Sequence, residues 1–391
     1  MSMSTAAMIT RDALSDFAGE IFSSMSRVDQ RRWGEVYLRG LLVVEGKKSV
    51  RRISEDVLSI PAHQSLQQFI NQSPWEWEPV RAHMARYVSK EETPKAWVLS
   101  RVAIPKRGER SVGVERRFLP EASRTVNCQI GLAVALAVPS GNLPVNWRLL
   151  MPAKWLTDST LRESAYIPRD VRANPEWVDF VAMLDELEFQ WDVCRVPVVA
   201  DLRHLAEVPE LVTELTDRGL DFSFEVDGSL EVLDTAGQRR PVRTVHAARG
   251  AFKGAGSALE SLGRWCRQTS ASCGHRDTMK VVSSLVTLPD NGRRPDGGQG
   301  LRVRLLTEVS PSGLAKHSWI TNLREHRVDE IVALSRLAQR SKENMKAMEN
   351  RFGLRDFEGR SYRGWHHHMT MVSAAYAFHR LADRALPTPP G

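Results

Sequence analysis

A chain of 391 residues, 42% hydrophobic and 26% charged, is longer than one ordinary core needs and has the balance of a globular protein. Its formal charge of +7 suits an anionic partner such as nucleic acid without requiring one. Four cysteines (Cys128, Cys194, Cys266, Cys273) are too few for a disulfide framework, and the longest apolar run, residues 130–139, is too short to span a bilayer.

Residues 1–22 carry Arg11, Asp12, Asp16 and Glu20, which is not a signal-peptide pattern, so a reducing, cytoplasmic compartment is expected. From residue 12 to about 90 the pattern is helical. Phe17, Ile21 and Met25 repeat at helical spacing, as do Trp33, Tyr37 and Leu41. A short helix at about 48–57, a break at Pro61 and a second helix from His63 to Ile70 are compatible with a helix-turn-helix. Any small helical bundle gives the same pattern.

From Ala96 the period changes. Residues 97–104 and 125–137 read as strands, with turns at Lys106-Arg107-Gly108 and Pro120-Glu121. A helix is expected over 177–187 and a short buried strand over 196–200. Strand character returns at 220–226, 230–233, 281–287 and 301–307. The segment 290–300 is too glycine-rich to be regular, and no strand-to-helix fingerprint makes it a nucleotide loop. Long helices follow at about 328–351 and 363–384.

Several residue groups invite a chemical reading. Cys266, Cys273 and His275 lack the spacing and the fourth ligand of a structural zinc module. His366, His367 and His368 open a helix, where packing and capping explain them better than a metal. Trp75 and Trp77 could stack on bases, yet they flank a helical bundle and read as core.

Three stretches carry a family likeness. The first is Gly353-Leu354-Arg355-Asp356-Phe357-Glu358-Gly359-Arg360-Ser361, continuing through Tyr362-Arg363-Gly364-Trp365 to His368. The second joins Pro105-Lys106-Arg107-Gly108, Ser111-Val112-Gly113-Val114 and Asn127-Cys128-Gln129. The third is Asn146-Trp147-Arg148-Leu149 with Pro152 and Trp155. In order and spacing these resemble a DDE transposase of bacterial insertion sequences, over about residues 17–380.

The resemblance implies an α/β fold: an RNase H-like core at 93–215 and 311–385, an N-terminal helical domain at 1–92 that binds DNA, and a β-rich insertion at 216–310 before the last catalytic-type helix. It also implies two-metal chemistry. Ions roughly 3.5–4 Å apart clamp the attacking and leaving oxygens of a phosphoryl displacement, and magnesium takes hard oxygen ligands. In the family the first carboxylate lies in Asp-Asp-Thr-Gly-Phe-Pro-Lys; here the stretch reads Ser100-Arg101-Val102-Ala103-Ile104-Pro105-Lys106. Residues 97–107 contain no Asp or Glu. The second carboxylate is matched by Asp201. The third, in Trp-Arg-Ile-Glu, falls on Gln339-Arg340-Ser341-Lys342 when counted back from Gly353. Glu343 sits about 100° around the helix from Lys342.

The family's metal positions are therefore read as Arg101, Asp201 and Lys342, with no metal and no cofactor expected. Unit charges about 4 Å apart interact by roughly 4 kcal/mol at an effective dielectric near 20, so two cations in place of two carboxylates repel a divalent ion.

What remains expected is double-stranded DNA binding. The candidate contacts are Arg27, Arg31, Arg32, Arg39, Lys47, Lys48, Arg51 and Arg52 in the helical region, joined by Arg101, Lys342, Arg360 and Arg363. The reading is a catalytically inactive, domesticated pseudo-transposase at the nucleoid, a sequence-specific transcriptional regulator, with two-fold pairing on DNA left open. The alternatives are a scaffold that binds a partner protein, an enzyme with repurposed chemistry using Asp201, and a nuclease recruiting displaced acids such as Glu109, Glu115 or Glu343.

Overall fold

The structure, a computed structural model, describes residues 11–58, 61–119, 123–246, 270–271, 279–289, 300–310 and 315–385. It divides into two compact units: residues 1–95, 100–194 and 340–391 form one, and residues 96–99 and 195–339 the other.

In the first unit, helices α1 (Arg11–Ile21), α2 (Val28–Val43), α3 (Val50–Val57), α4 (His63–Asn71) and α5 (Trp77–Glu91) precede strand β1 (Ala96–Pro105), which enters this unit at Ser100. Gly40 of α2 lets α3 approach, since a Cβ there would lie 2.3 Å from Ile53 Cγ2. Next come β2 (Glu115–Leu119), β3 (Arg124–Val138) and β4 (Gly141–Leu149). Strands β2 and β4 pair antiparallel with the two halves of β3, from Glu115↔Cys128 and from Gly131↔Leu149. The N–H of Lys106 donates to Asn127 O and that of Lys95 to Ala137 O, both at 2.8 Å, where β1 runs beside β3. Short helices α6 (Lys154–Thr157) and α7 (Ser159–Ser164) lead to α8 (Glu176–Asp185), which ends in a π turn over Glu186–Gln190.

The centre of this unit is the helix Tyr362–Ala385, in which residues 364–379 are all buried. A helix buried all round needs cover on every side, and α2, α4, α5 and β4 supply it. That cover is why the N-terminal helices cluster with this helix in one compact unit. Arg81 of α5, only 1% exposed, binds the seam. Its Nε donates to Thr370 Oγ1 at 2.8 Å, Nη1 to Trp147 O at 2.7 Å and Nη2 to His366 O at 3.1 Å.

In the second unit, β5 (Val198–Asp201) runs parallel to the first residues of β1, with Trp97↔Val198 and Leu99↔Ala200 paired. Helix α9 (Val208–Asp217) returns the chain to β6 (Phe222–Glu225), parallel to β5. Then come β7 (Glu231–Leu233), β8 (Arg239–Pro241), helix α10 (Val242–Val245), β9 (Ser270–Ala271), β10 (Met279–Leu288), β11 (Leu301–Val309) and β12 (Ala315–Thr321). The sheet order is β1-β5-β6-β12-β11-β10-β7-β8, parallel through β6 and antiparallel beyond. Strand β6 lies hydrogen-bonded between β5 and β12.

The next helix, α11 (Val328–Arg351), buries Val328, Ile331 and Val332 against Val281, Leu306, Trp319 and Leu323. Its residues from Arg340 on belong to the first unit, and the buried helix Tyr362–Ala385 follows as α12. Among the described residues no helix is long and apolar enough to cross a membrane. Cys266, Cys273, His275 and residues 290–299 of the glycine-rich segment lie outside the described residues.

Candidate functional site

Side chains alternate along β1, so Ser100 and Arg101 leave opposite faces of the strand. In the first unit the Ser100 hydroxyl shares a hydrogen bond with the hydroxyl of Ser341 on α11, which is 6% exposed. Arg101 goes the other way and pairs with Glu176 of α8, Nε to Oε1 at 3.3 Å. Lys342 follows Ser341 by one helical step and is exposed. The side chains that meet between strand and helix are therefore the two serines, each one residue before the positions taken as Arg101 and Lys342.

In the second unit Asp201 closes β5. Both its oxygens are gripped by Arg203, Oδ1 by Nε at 2.8 Å and Oδ2 by Nη2 at 2.7 Å. Asp201 stands opposite Glu225 in the β5–β6 register. Glu225 is 1% exposed; its Oε1 lies 2.8 Å from His317 Nδ1 and 3.3 Å from Arg203 Nε. Its Oε2 is buried without a partner. The hydrogen bond to Glu225 raises the His317 imidazole above its ordinary range, against the opposing cost of burial. Further along, Arg336 of α11 pairs with Glu308 at 3.4 Å.

A divalent cation needs several carboxylate oxygens directed at one point. Among the described residues, the side chains at these positions do not fit one. Hydroxyls bonded to each other occupy the strand–helix contact in the first unit, and the carboxylates of the second are held by arginine and histidine. Among the described residues, no three His, Cys, Asp or Glu side chains gather as a cation would require.

The opening strand, the parallel β5 and the long helix α11 are the elements from which the resemblance builds an RNase H-like core. The family model of a DDE superfamily endonuclease matches residues 20–265. The chain belongs to that family. No curated protein matches it. The match spans β1 and Asp201 and ends before α11 begins. The family gives this DDE-type chain its mixed α/β, RNase H-like fold and implies binding to DNA.

The basic residues proposed to meet that DNA fall into two groups. In the N-terminal helices most are already engaged. Arg27 forks onto Asp29 at 2.9 and 2.7 Å, Arg39 pairs with Glu35 at 2.9 Å, and Arg51 with Glu55 at 2.8 Å. Arg31 donates to Met25 O, and Arg32 lies 5.6 Å from the ring centre of Trp33. Lys48 is 4% exposed, packed on Gly353, with its main-chain N–H donating to Asp356 at 2.7 Å. It is a packing residue, not a surface cation. Arg52 is exposed and Arg363 half-buried. Lys47 and Arg360, distant in sequence, line one cavity of about 670 Å³ in the first unit. Lys106, Arg107, Arg110 and Arg355 join them there. Lys106, Arg107 and Arg355 stand in the family motifs, but nothing in their local spacing says that the two segments meet.

His366, His367 and His368 of the DDE chain are buried. His367 stacks on Trp75 at 3.7 Å between ring centres and His366 on Trp77 at 4.6 Å. The Tyr37 hydroxyl lies 3.0 Å from His368 Nδ1, and His368 Nε2 lies 2.9 Å from Gly353 O. Nε2 then carries the proton and Nδ1 accepts. Burial pushes His367 down to about 3 and His368 to about 4. Of the acids considered as substitutes, Glu115 is paired with Arg117 at 2.6 Å, Glu109 lines the basic cavity and Glu343 is exposed on α11.

Proposed function

We propose that this DDE-family chain is a transposase-derived DNA-binding protein that no longer cuts DNA, and that it acts at the nucleoid as a sequence-specific transcriptional regulator. One observation carries the reading: the strand–helix contact in the first unit is made by Ser100 and Ser341, with Arg101 and Lys342 beside them. Whichever residue of each pair corresponds to a family ligand, neither is a carboxylate. Asp201, the acid retained, has both oxygens engaged by Arg203. A site reduced in this way keeps a DNA-binding scaffold and loses its hold on the ions that activate the phosphoryl transfer.

The test has two arms. Passing the purified protein over sheared genomic DNA of its host and sequencing the retained fraction is expected to give discrete sites upstream of genes. Symmetric half-sites would indicate binding as a two-fold pair. Incubation of duplex DNA with the protein and manganese is expected to give no strand cleavage. Cleavage abolished by Asp201→Ala would overturn the reading.

A second reading, repurposed chemistry, is favoured by the second unit's dyad of buried Glu225 and part-exposed His317. A carboxylate that orients an imidazole is an acid–base arrangement. Metabolite turnover by host extract supplemented with the protein, lost on His317→Ala, would establish it in place of a purely DNA-binding role.

A further inference from the structure

Six cations line the 670 Å³ cavity of the first unit against three carboxylates, Glu109, Asp356 and Glu358. Two of those carboxylates are already engaged: Glu358 by Lys47, and Asp356 by the main-chain N–H of Lys48. On the basic side, Arg355 is paired with Glu349 at 2.7 Å. Arg107, Arg110 and Arg360 are exposed and have no ion-pair partner among the described residues. Two of them stand on the turn after β1 and the third on the segment between α11 and α12.

Lys106 closes the cavity from within. Its ammonium donates to Phe357 O at 2.7 Å and lies 6.0 Å from the centre of the Phe357 ring. Burial holds its pKa down, at about 8. An ammonium has three donors, so the carbonyl leaves two for a ligand.

We propose that this cavity binds phosphodiester groups of a DNA backbone, held by Arg107, Arg110 and Arg360 over the ammonium of Lys106. The inference rests on the DNA-binding reading and adds its location. Arginine forks match phosphate oxygens two at a time, while a lysine supplies a point charge beneath. The volume equals about twenty waters of liquid, more than one phosphate ion fills, so a run of backbone suits it better than a free anion. The surface also accounts for the contrast with Arg27, Arg39 and Arg51 of the N-terminal helices, which have local acidic partners where, among the described residues, these three have none.

The experiment is fluorescence anisotropy of a labelled duplex with the full chain across a salt series. It compares the wild type, the triple variant Arg107→Ala/Arg110→Ala/Arg360→Ala, its lysine counterpart, and, as a control, Arg169→Ala/Arg172→Ala, two exposed arginines outside every proposed contact. Thermal melts confirm that each variant is folded. The cavity variant is expected to bind about tenfold or more weakly near 0.15 M salt, with a log–log salt slope shallower by about two to three. The lysine version should recover most of the binding, and the control should change it less than threefold.

Unchanged affinity in the alanine variant would overturn the location and leave the DNA reading standing. No binding by the wild type would remove the DNA reading itself, and this inference with it. Two competitors separate other occupants. Poly-glutamate displacing the duplex as well as unlabelled DNA does would mark an acidic-peptide site. Pyrophosphate shielding Lys106 from acetylation where DNA does not would mark a free-phosphate site. Either result would overturn the assignment to DNA.

Discussion

The two units use histidine in opposite ways. In the first, His366, His367 and His368 are buried in α12 and held below the ordinary imidazole range by desolvation, His367 and His368 beside neutral partners such as the Tyr37 hydroxyl and main-chain carbonyls and His366 against the Arg81 guanidinium. In the second, His317 is part-exposed, faces the buried Glu225 and is raised. The same contrast runs through the polar side chains around them. The first unit's strand–helix contact is a pair of hydroxyls; the second unit holds the charged group Asp201–Arg203–Glu225. Under the proposed reading, charge is absent in the one place and answered in the other, and the two respond differently to pH and to mutation.

The largest effect should come from putting charge into the first unit's strand–helix contact. Ser100→Asp with Ser341→Glu sets two carboxylates in hydrogen-bonding range of each other in a largely buried place. Their repulsion is about 4 kcal/mol at an effective dielectric near 20, and unpaired burial adds to it. A loss of about 4 kcal/mol in urea-monitored stability is expected. Recovery of part of that loss in millimolar manganese would identify this pair as the family's metal position in place of Arg101 and Lys342. A denaturation midpoint equal to the wild type's would mean that the hydroxyls do not meet, and would erase the contrast between the units.

The second effect is acid sensitivity of the first unit. A histidine with a lowered folded pKa favours the folded state fully above the unfolded value of about 6.5, and that contribution is lost as pH falls toward the folded value. With folded values of about 3 for His367 and about 4 for His368, the window runs from about pH 6.5 down to 3. Between pH 6.5 and 5 each buried histidine should contribute a loss of about 2 kcal/mol. Denaturation curves at pH 7.5, 6 and 5 check this. His368→Gln should flatten the dependence by one histidine's share, and an unchanged slope would show that His368 is not the neutral, buried group described.

Much of the fold was legible in the sequence because its signals are local. Helix α11 falls where its apolar period places it, and the apolar stretch 130–137 lies within β3. Strand β4 was not legible. It carries Asn142, Pro144 and Asn146, and the ladder absorbs the proline at a shift between Val134 and Ala135. Helix α9 was hidden by Pro209, which suits a first helical turn but reads as a break. At the site, the motifs located β1, Asp201 and α11, yet the choice between Ser100 and Arg101 depends on which strand face the helix covers. A one-residue step reverses the face of a strand and turns a helix by about 100°. The convergence of Lys47, Lys106 and Arg360 on one cavity was beyond reach for the same reason: segments more than fifty residues apart meet only through the packing around α12.

The smallest effect sharpens the comparison from the other unit. Glu225→Gln removes the carboxylate that raises His317 and leaves a side chain of nearly the same shape. Three charges act on this imidazole: Glu225 and Glu308 raise it, and Arg203 lowers it. Losing the strongest should bring its titration down toward the ordinary value near 6.5, as read from the imidazole carbon-bound protons by NMR. The sign is opposite to that of the α12 histidines. A raised folded pKa stabilises below the unfolded value, and the gain is lost as pH rises through the folded one. Wild type should therefore lose this contribution on going alkaline, and the variant should show a weaker dependence. Arg203 then has only Asp201 to answer, which leaves that pair intact and confines the change to the dyad. A His317 midpoint that stays raised in Glu225→Gln would place its source in Glu308, and the second unit's charges would have to be read as one network centred on Arg336.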